Sequence, residues 1–248
     1  MTLPRRARAG LVVLALAAGA CAPPPPGGEL GPTSRAYRVA RDHREALVRA
    51  FTAELVLRIS GRATGRLPAL TSNVSLAAPD RFRMRVSGLL GVALDVLVRR
   101  DSVWAWLPSR RTMFVAPSDS LGVRDPAALA GLVLGATWNP PESAWSAATS
   151  DSDGWSLAWR EGDDSLALVV DAKALPRRAW IGRTGHGVSV RYEAWGRVSG
   201  EPFPARVSLE DDTGWARVRL ECDDGQSRAE APEKWFAPRR GAAERTLG

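Results

Sequence analysis

From Ala77 to Phe114 the chain alternates apolar and polar side chains more regularly than anywhere else. Phe82, Met84 and Val86 alternate with Arg81, Arg83 and Arg85, a period of two that predicts a strand with one dry face and one wet face. The Gly-flanked turn Ser87-Gly88-Leu89-Leu90-Gly91 follows, with two leucines at its tip. Val92, Leu94, Val96 and Val98 resume the alternation, then Val103 to Leu107 and Thr112 to Val115. Four strands joined by short turns read as an antiparallel meander. A first strand, Phe51 to Arg62, precedes it with Phe51, Leu55 and Leu57 facing inward, and a less regular strand, Leu67 to Ala77, lies between them. Further alternating runs occur at Trp155–Trp159, Leu166–Val170, Pro176–Arg183, Val188–Tyr192, Phe203–Glu210 and Trp215–Cys222, giving about eleven strands in all.

Two segments break the period. Thr33 or Ser34 can cap a helix running to about Ala50, with Ala36, Ala40, His43, Leu47 and Ala50 on one face. It suits packing on a sheet, or lying on a membrane surface. Asp125-Pro126 can start and Gly135 can end a second helix, apolar nearly all round and including Leu129, Leu132 and Val133. Such a helix must be buried on several sides or sit in an apolar groove. Ser143 to Asp153 reads as a polar link, and the residues from Asp223 as a polar tail in which Trp235-Phe236 is a late anchor.

The amino terminus has the layout of a targeting segment. Arg5, Arg6 and Arg8 precede the short apolar run Gly10–Ala20, and Cys21 follows at once. That run is too short to span a bilayer. Ala18-Gly19-Ala20-Cys21 resembles a bacterial lipobox, which makes Cys21 the acylated first residue of the mature chain; an ordinary signal peptide with a chance Cys is the alternative. The expected division is residues 1–20 signal, 21–34 lipidated Cys and Pro/Gly tether, 35–222 domain and 223–248 tail. Ala22 is not the Asp that retains many lipoproteins in the inner membrane, which points to the outer membrane with periplasmic exposure.

The net charge of +7 comes almost wholly from arginine, with lysine only at Lys173 and Lys234. The arginines are spread over the polar faces of many strands, so no nucleic-acid patch is read from them, although weak attraction to anionic lipid is compatible. Neither of the two histidines, His43 and His186, has a Cys or carboxylate at metal-ligand spacing. Phosphate loops, GxSxG elbows and HExxH motifs are missing from the sequence. The pairs Asp163-Asp164, Asp211-Asp212 and Asp223-Asp224 sit at strand ends and read as turn residues. The expectation is a non-enzyme with no catalytic residue, metal or cofactor.

The order of these elements resembles the LolA/LolB lipoprotein carriers, LolB more than LolA. The residues that carry the resemblance are Pro79-Asp80-Arg81-Phe82-Arg83-Met84-Arg85, Leu90-Gly91 before a strand, the apolar helix near Asp125 to Gly135, and Val188–Tyr192 with Pro204–Leu209. The resemblance implies an unclosed antiparallel β-barrel with a helical lid around an acyl-chain cavity. That cavity would be walled by Phe51, Leu55, Leu57, Phe82, Met84, Val86, Leu94, Val96, Leu129, Leu132 and Val133. Leu90, with Leu89, falls where LolB places a membrane-contacting leucine; the alternative is that both tuck into the barrel end. LolA also holds its lid with an arginine, for which no counterpart is assigned. The implied partners are acyl chains or lipoprotein cargo, the membrane through Cys21, and a periplasmic carrier protein. The implied role is lipoprotein reception and insertion; a structural or sensing lipoprotein that binds a protein or peptide on the same fold is the alternative. Each CH₂ kept dry is worth roughly 0.8 kcal/mol, so a chain of about sixteen carbons represents on the order of 12 kcal/mol and demands a continuous apolar wall.

Overall fold

The computed structural model describes residues 30–62, 65–89, 91–99, 102–117, 131–183, 186–237 and 243–246. Helix α1 (Leu30–Leu47) leads into one sheet. Its strands are β1 (Phe51–Gly61), β2 (Gly65–Arg66), β3 (Leu70–Ala77), β4 (Arg81–Gly88), β5 (Gly91–Arg99), β6 (Ser102–Leu107) and β7 (Thr112–Pro117). After helical residues 131–134 and a short helix α2 (Glu142–Ser146) come β8 (Thr149–Asp151), β9 (Gly154–Glu161), β10 (Asp164–Val170), β11 (Pro176–Arg183), β12 (His186–Val198), β13 (Glu201–Asp211), β14 (Arg217–Ser227) and β15 (Ala243–Thr246).

The order across the sheet is β15-β7-β6-β5-β4-β3-β1-β14-β13-β12-β11-β10-β9-β8, with β2 beside β1. Every pairing is antiparallel except β15 on β7, and the sheet does not close on itself. Among the described residues the strand count is fifteen, where the period predicted about eleven. β2, β8 and β15 hold two, three and four residues, too few for a period of two to declare itself. β8 and α2 also replace the expected polar link, because Trp145 turns one face of that segment into core. The sheet continues past Cys222, the expected end of the domain, to Ser227.

Register makes the inner face continuous. Phe51, Leu76, Phe82, Val98 and Val103 lie opposite one another from β1 through β6. Leu57, Leu220, Val207 and Tyr192 carry the same face across β14, β13 and β12, and Val190, Ala179, Leu168 and Leu157 carry it on to β9. The helices cover this face. α1 starts at Leu30, before the predicted Thr33, because Pro32 falls in the first turn, where its missing N–H has no partner to lose. α1 also sits rotated by about one residue. Ser34, Tyr37, Arg44, Leu47 and Val48 are buried, while Ala36 and His43 are exposed. Tyr37 and Leu47 offer more area to the sheet than the alanines that defined the predicted face.

The outer face carries a second, smaller packing layer. Residues Glu233–Phe236 form a single helical turn that lays Phe236 over Ala77 and Leu97, with Trp104 and Trp235 beside them. Arg83, expected on a wet face, is buried beneath it with Asp95.

Candidate functional site

The predicted cavity residues divide into two groups. Phe51, Leu55, Leu57 and Phe82 are buried in one inner cluster, with Met84 and Val96 packed against it half-buried. Val86 is buried and Leu94 half-buried on the same face, where they lie opposite one another. Leu134 and Ala136 belong to that cluster, so the end of the central helix rests on this wall. Leu132 and Val133 are half-buried and pack against the second inner cluster, around Leu168, Val190 and Tyr192. Trp155 and Trp159 also pack there, whereas Trp104 lies on the outer face. Leu129, Leu90 and Cys21 fall outside the described residues.

Sequence reasoning missed the group that ties the two clusters together. The helical residues 131–134 end at Gly135, whose φ of +66° suits glycine, and Ala136 N–H donates to Gly131 O at 2.9 Å to close the turn. A Cβ at Gly135 would come within 2.9 Å of Pro176, so the chain passes close to β11 there. Tyr192 then donates its hydroxyl to Leu132 O at 2.8 Å and accepts from Trp138 Nε1 at 2.8 Å. Tyr37, on α1, donates to Trp138 O at 2.7 Å. Both phenols are pushed above the ordinary tyrosine range by burial, which keeps them neutral donors.

Arg44 lies in this group, 1% exposed. Its Nη2 reaches Gly135 O at 3.4 Å, a long contact, while Nε and Nη1 have no acceptor among the described residues. Its Cζ lies 5.5 Å from the Trp195 ring centre and 6.0 Å from that of Tyr37. Register shifts on either side of Ala194 place Trp195, not residue 194, on the inner face with Tyr192, the two rings stacked at 5.8 Å. Burial pulls the guanidinium below the usual arginine range, partly opposed by Tyr37 and Tyr192. A buried charge held by one long contact and two rings carries a desolvation penalty of several kcal/mol. Position 44 gives no such signal in sequence, since it falls in a run of arginines on α1.

One end of the sheet is apolar and exposed. Leu89, at the β4–β5 tip, is fully exposed. Leu67, after β2, and Trp215, in the β13–β14 turn, are also exposed, and the strand pairings put all three at the same end. Arg62, Arg110 and Arg111 are exposed there too. Between α1 and the β12–β13 turn is a groove of about 650 Å³ lined by Ala36, Val39, Ala40, His43, Glu201 and Pro202.

Among the described residues no group of three or more His, Cys, Asp or Glu is arranged to hold a metal, and no helix is long and apolar enough to cross a membrane. Asp211 accepts from the backbone N–H of Ala216, and Asp164 pairs with Arg183 at 2.8 Å, so these carboxylates serve the turns and strand pairs around them.

No protein-family model matches the chain, and no curated protein matches it by sequence. Solved structures do match in fold. A LolA superfamily protein from Nitrosomonas europaea is similar at 15% identity and TM-score 0.51, over 83% of this chain and 97% of its own. A DUF1329 family protein from Desulfovibrio piger is similar at 10% identity and TM-score 0.54, over 83% and 97%. A domain from Vibrio parahaemolyticus described as an outer membrane lipoprotein-sorting protein is similar at 9% identity and TM-score 0.53, over 81% and 94%. The chain has a LolA-like fold: one wide, unclosed, mainly antiparallel sheet with helices on its inner face.

Proposed function

We propose that this protein is an outer-membrane lipoprotein, anchored through an acylated Cys21 and facing the periplasm, that holds acyl chains against the inner face of its sheet. In this reading it receives lipoprotein cargo from a periplasmic carrier and takes part in its insertion. Residues 1–20 are the signal and 21–29 the tether, shorter than the expected 21–34 because α1 begins at Leu30, and the sheet with its helices is the binding body. The observation that carries the reading is the inner wall. Met84, Leu94 and Val96 remain half-buried beside buried Leu55 and Phe82, and the wall meets a short helical end fastened by a few hydrogen bonds. A broad apolar surface left half-buried suits a replaceable occupant.

The test uses protein freed of its own anchor by Cys21→Ser. It should bind a fluorescent fatty acid, and Leu132→Arg should weaken binding by about tenfold, because a charge placed against the chain loses its hydration. Equal binding by both proteins rejects the assignment of this wall.

The exposed end supports a membrane-contacting role for Leu89, extended to Leu67 and Trp215. With Arg62, Arg110 and Arg111 nearby, it fits an anionic bilayer surface. The double substitution Leu89→Glu, Trp215→Glu should reduce co-sedimentation with phosphatidylglycerol vesicles by about tenfold or more, since two apolar anchors are lost and two like charges added. Undiminished sedimentation removes this end from consideration.

The groove beside α1, apolar on the side of Val39 and Pro202 and carrying the His43–Glu201 pair at 3.0 Å, favours a second reading, in which the protein binds a peptide or protein partner. A stoichiometric protein partner recovered with no lipid would support that reading over the first.

A further inference from the structure

We propose that Arg44 is the polar end of the acyl site, receiving the anionic oxygen group at the head of a single acyl-chain lipid, a carboxylate or a phosphate. The proposal rests on the acyl-binding reading above and adds the chemistry of the headgroup.

Three observations point there. First, Arg44 has the donor edge of a guanidinium without the acceptors. Nε and Nη1 are buried without partners among the described residues, and Nη2 has only the 3.4 Å contact to Gly135 O. Second, the indole N–H groups of Trp145 and Trp195 are also buried without acceptors. They belong to the same packed group: Trp195 stands against Arg44, and Trp145 against Tyr37 at 5.5 Å between ring centres. Unpaired buried donors are rare, and three side chains with such donors in one aromatic group mark a place built for an acceptor. Third, no Asp or Glu among the described residues forms an ion pair with Arg44, whereas Arg83, also buried, has a carboxylate and two carbonyls. Rings on Arg44 can stabilise the face of the cation but leave its edge unsatisfied.

The chemistry narrows the ligand. A guanidinium fork matches two oxygens of one planar or tetrahedral anion, so a carboxylate or phosphate fits and an alcohol does not. Position narrows it further. Gly135 O, the one acceptor that Arg44 reaches among the described residues, directly follows residues 132–134, which pack on the two inner clusters. A headgroup that replaces this long contact leaves its chain beside the inner wall. Arg44 therefore acts as a filter, admitting acidic single-chain lipids over neutral ones of equal length.

The test measures displacement of a fluorescent acyl probe at pH 8 by three competitors of equal chain length: a fatty acid, a fatty alcohol and a single-chain lipid phosphate. The acid, the phosphate or both should bind about tenfold tighter than the alcohol, as a charge-assisted pair predicts. Whichever shows the wider gap identifies the headgroup. In Arg44→Met the gap between the acidic competitors and the alcohol should close to within about twofold. Equal affinity of all three for the unaltered protein overturns the headgroup site but leaves acyl binding standing. No displacement by any of them overturns the acyl-binding reading beneath it. A gap that survives Arg44→Met also overturns the proposal. Should that variant fail to fold, the unaltered protein still decides: a bound ¹³C-carboxyl fatty acid, followed by NMR, should stay ionised below the pH at which the free acid protonates. An unchanged or raised titration midpoint counts against Arg44.

Discussion

Asp95→Ala should destabilise the protein by about 3–5 kcal/mol, read as a lower urea midpoint with little change in slope. Asp95 is buried on the outer face and accepts from Arg83 Nε at 2.9 Å and from Nη2 at 2.7 Å, a two-pronged pair. Arg85 Nε lies 3.3 Å from the same carboxylate. Removing the carboxylate strands the Arg83 charge under the turn Glu233–Phe236, where water cannot replace the lost partner. The same arginine donates from Nη1 to Trp235 O at 3.0 Å and Ala237 O at 3.1 Å, so the carboxyl-terminal segment should loosen in the variant. Faster proteolysis near residue 235 would report that directly. The double variant Arg83→Met, Asp95→Leu should recover much of the loss, because no bare charge remains. If Asp95→Ala melts like the parent, the pair is not the clamp its geometry describes.

Arg83 and Arg44 show where sequence stops being informative. The meander from Ala77 to Phe114 was legible because the period of two is a local property, and Phe82, Val86 and Val98 do face inward. The same period assigned Arg83 to water. Its cover comes from Trp235 and Ala237, more than 150 positions away, and no local pattern carries that information. Arg44 was hidden by a different cause. On α1 the apolar stripe was counted from alanines, whose small area exerts little pull. Tyr37, Leu47 and Val48 set the actual rotation, and position 44 follows Tyr37 by two helical turns. That Phe51, Leu55, Leu57, Phe82 and Val86 face inward was readable from the period of two. The fastening of this inner wall was not, because Tyr192, Trp138 and Tyr37 come from three distant segments. One signal was available in retrospect: Trp195 follows Tyr192 by three in a strand, a spacing that only a bulge can put on one face.

That fastening gives the second large effect. Tyr192→Phe should cost about 2–5 kcal/mol, because it leaves two buried groups, Leu132 O and Trp138 Nε1, without their shared hydroxyl. The loss falls on the residues that hold the central helix end against the inner face, so acyl probe should also enter faster, with stopped-flow association rates above those of the parent. A pH series separates this bond from simple packing. Burial holds the Tyr192 phenol above the ordinary tyrosine range in the folded chain, whereas the unfolded chain ionises near about pH 10. The unfolded state therefore sheds its proton first. The stability due to Tyr192 is complete below about pH 10 and declines as pH rises above it. Phenylalanine has no proton to lose, so the variant's alkaline decline should be shallower and the two proteins should converge in stability at high pH. Parallel alkaline curves, or an unchanged rate of probe entry, would mean that Tyr192 merely fills space and that the helix end is held by its apolar contacts alone.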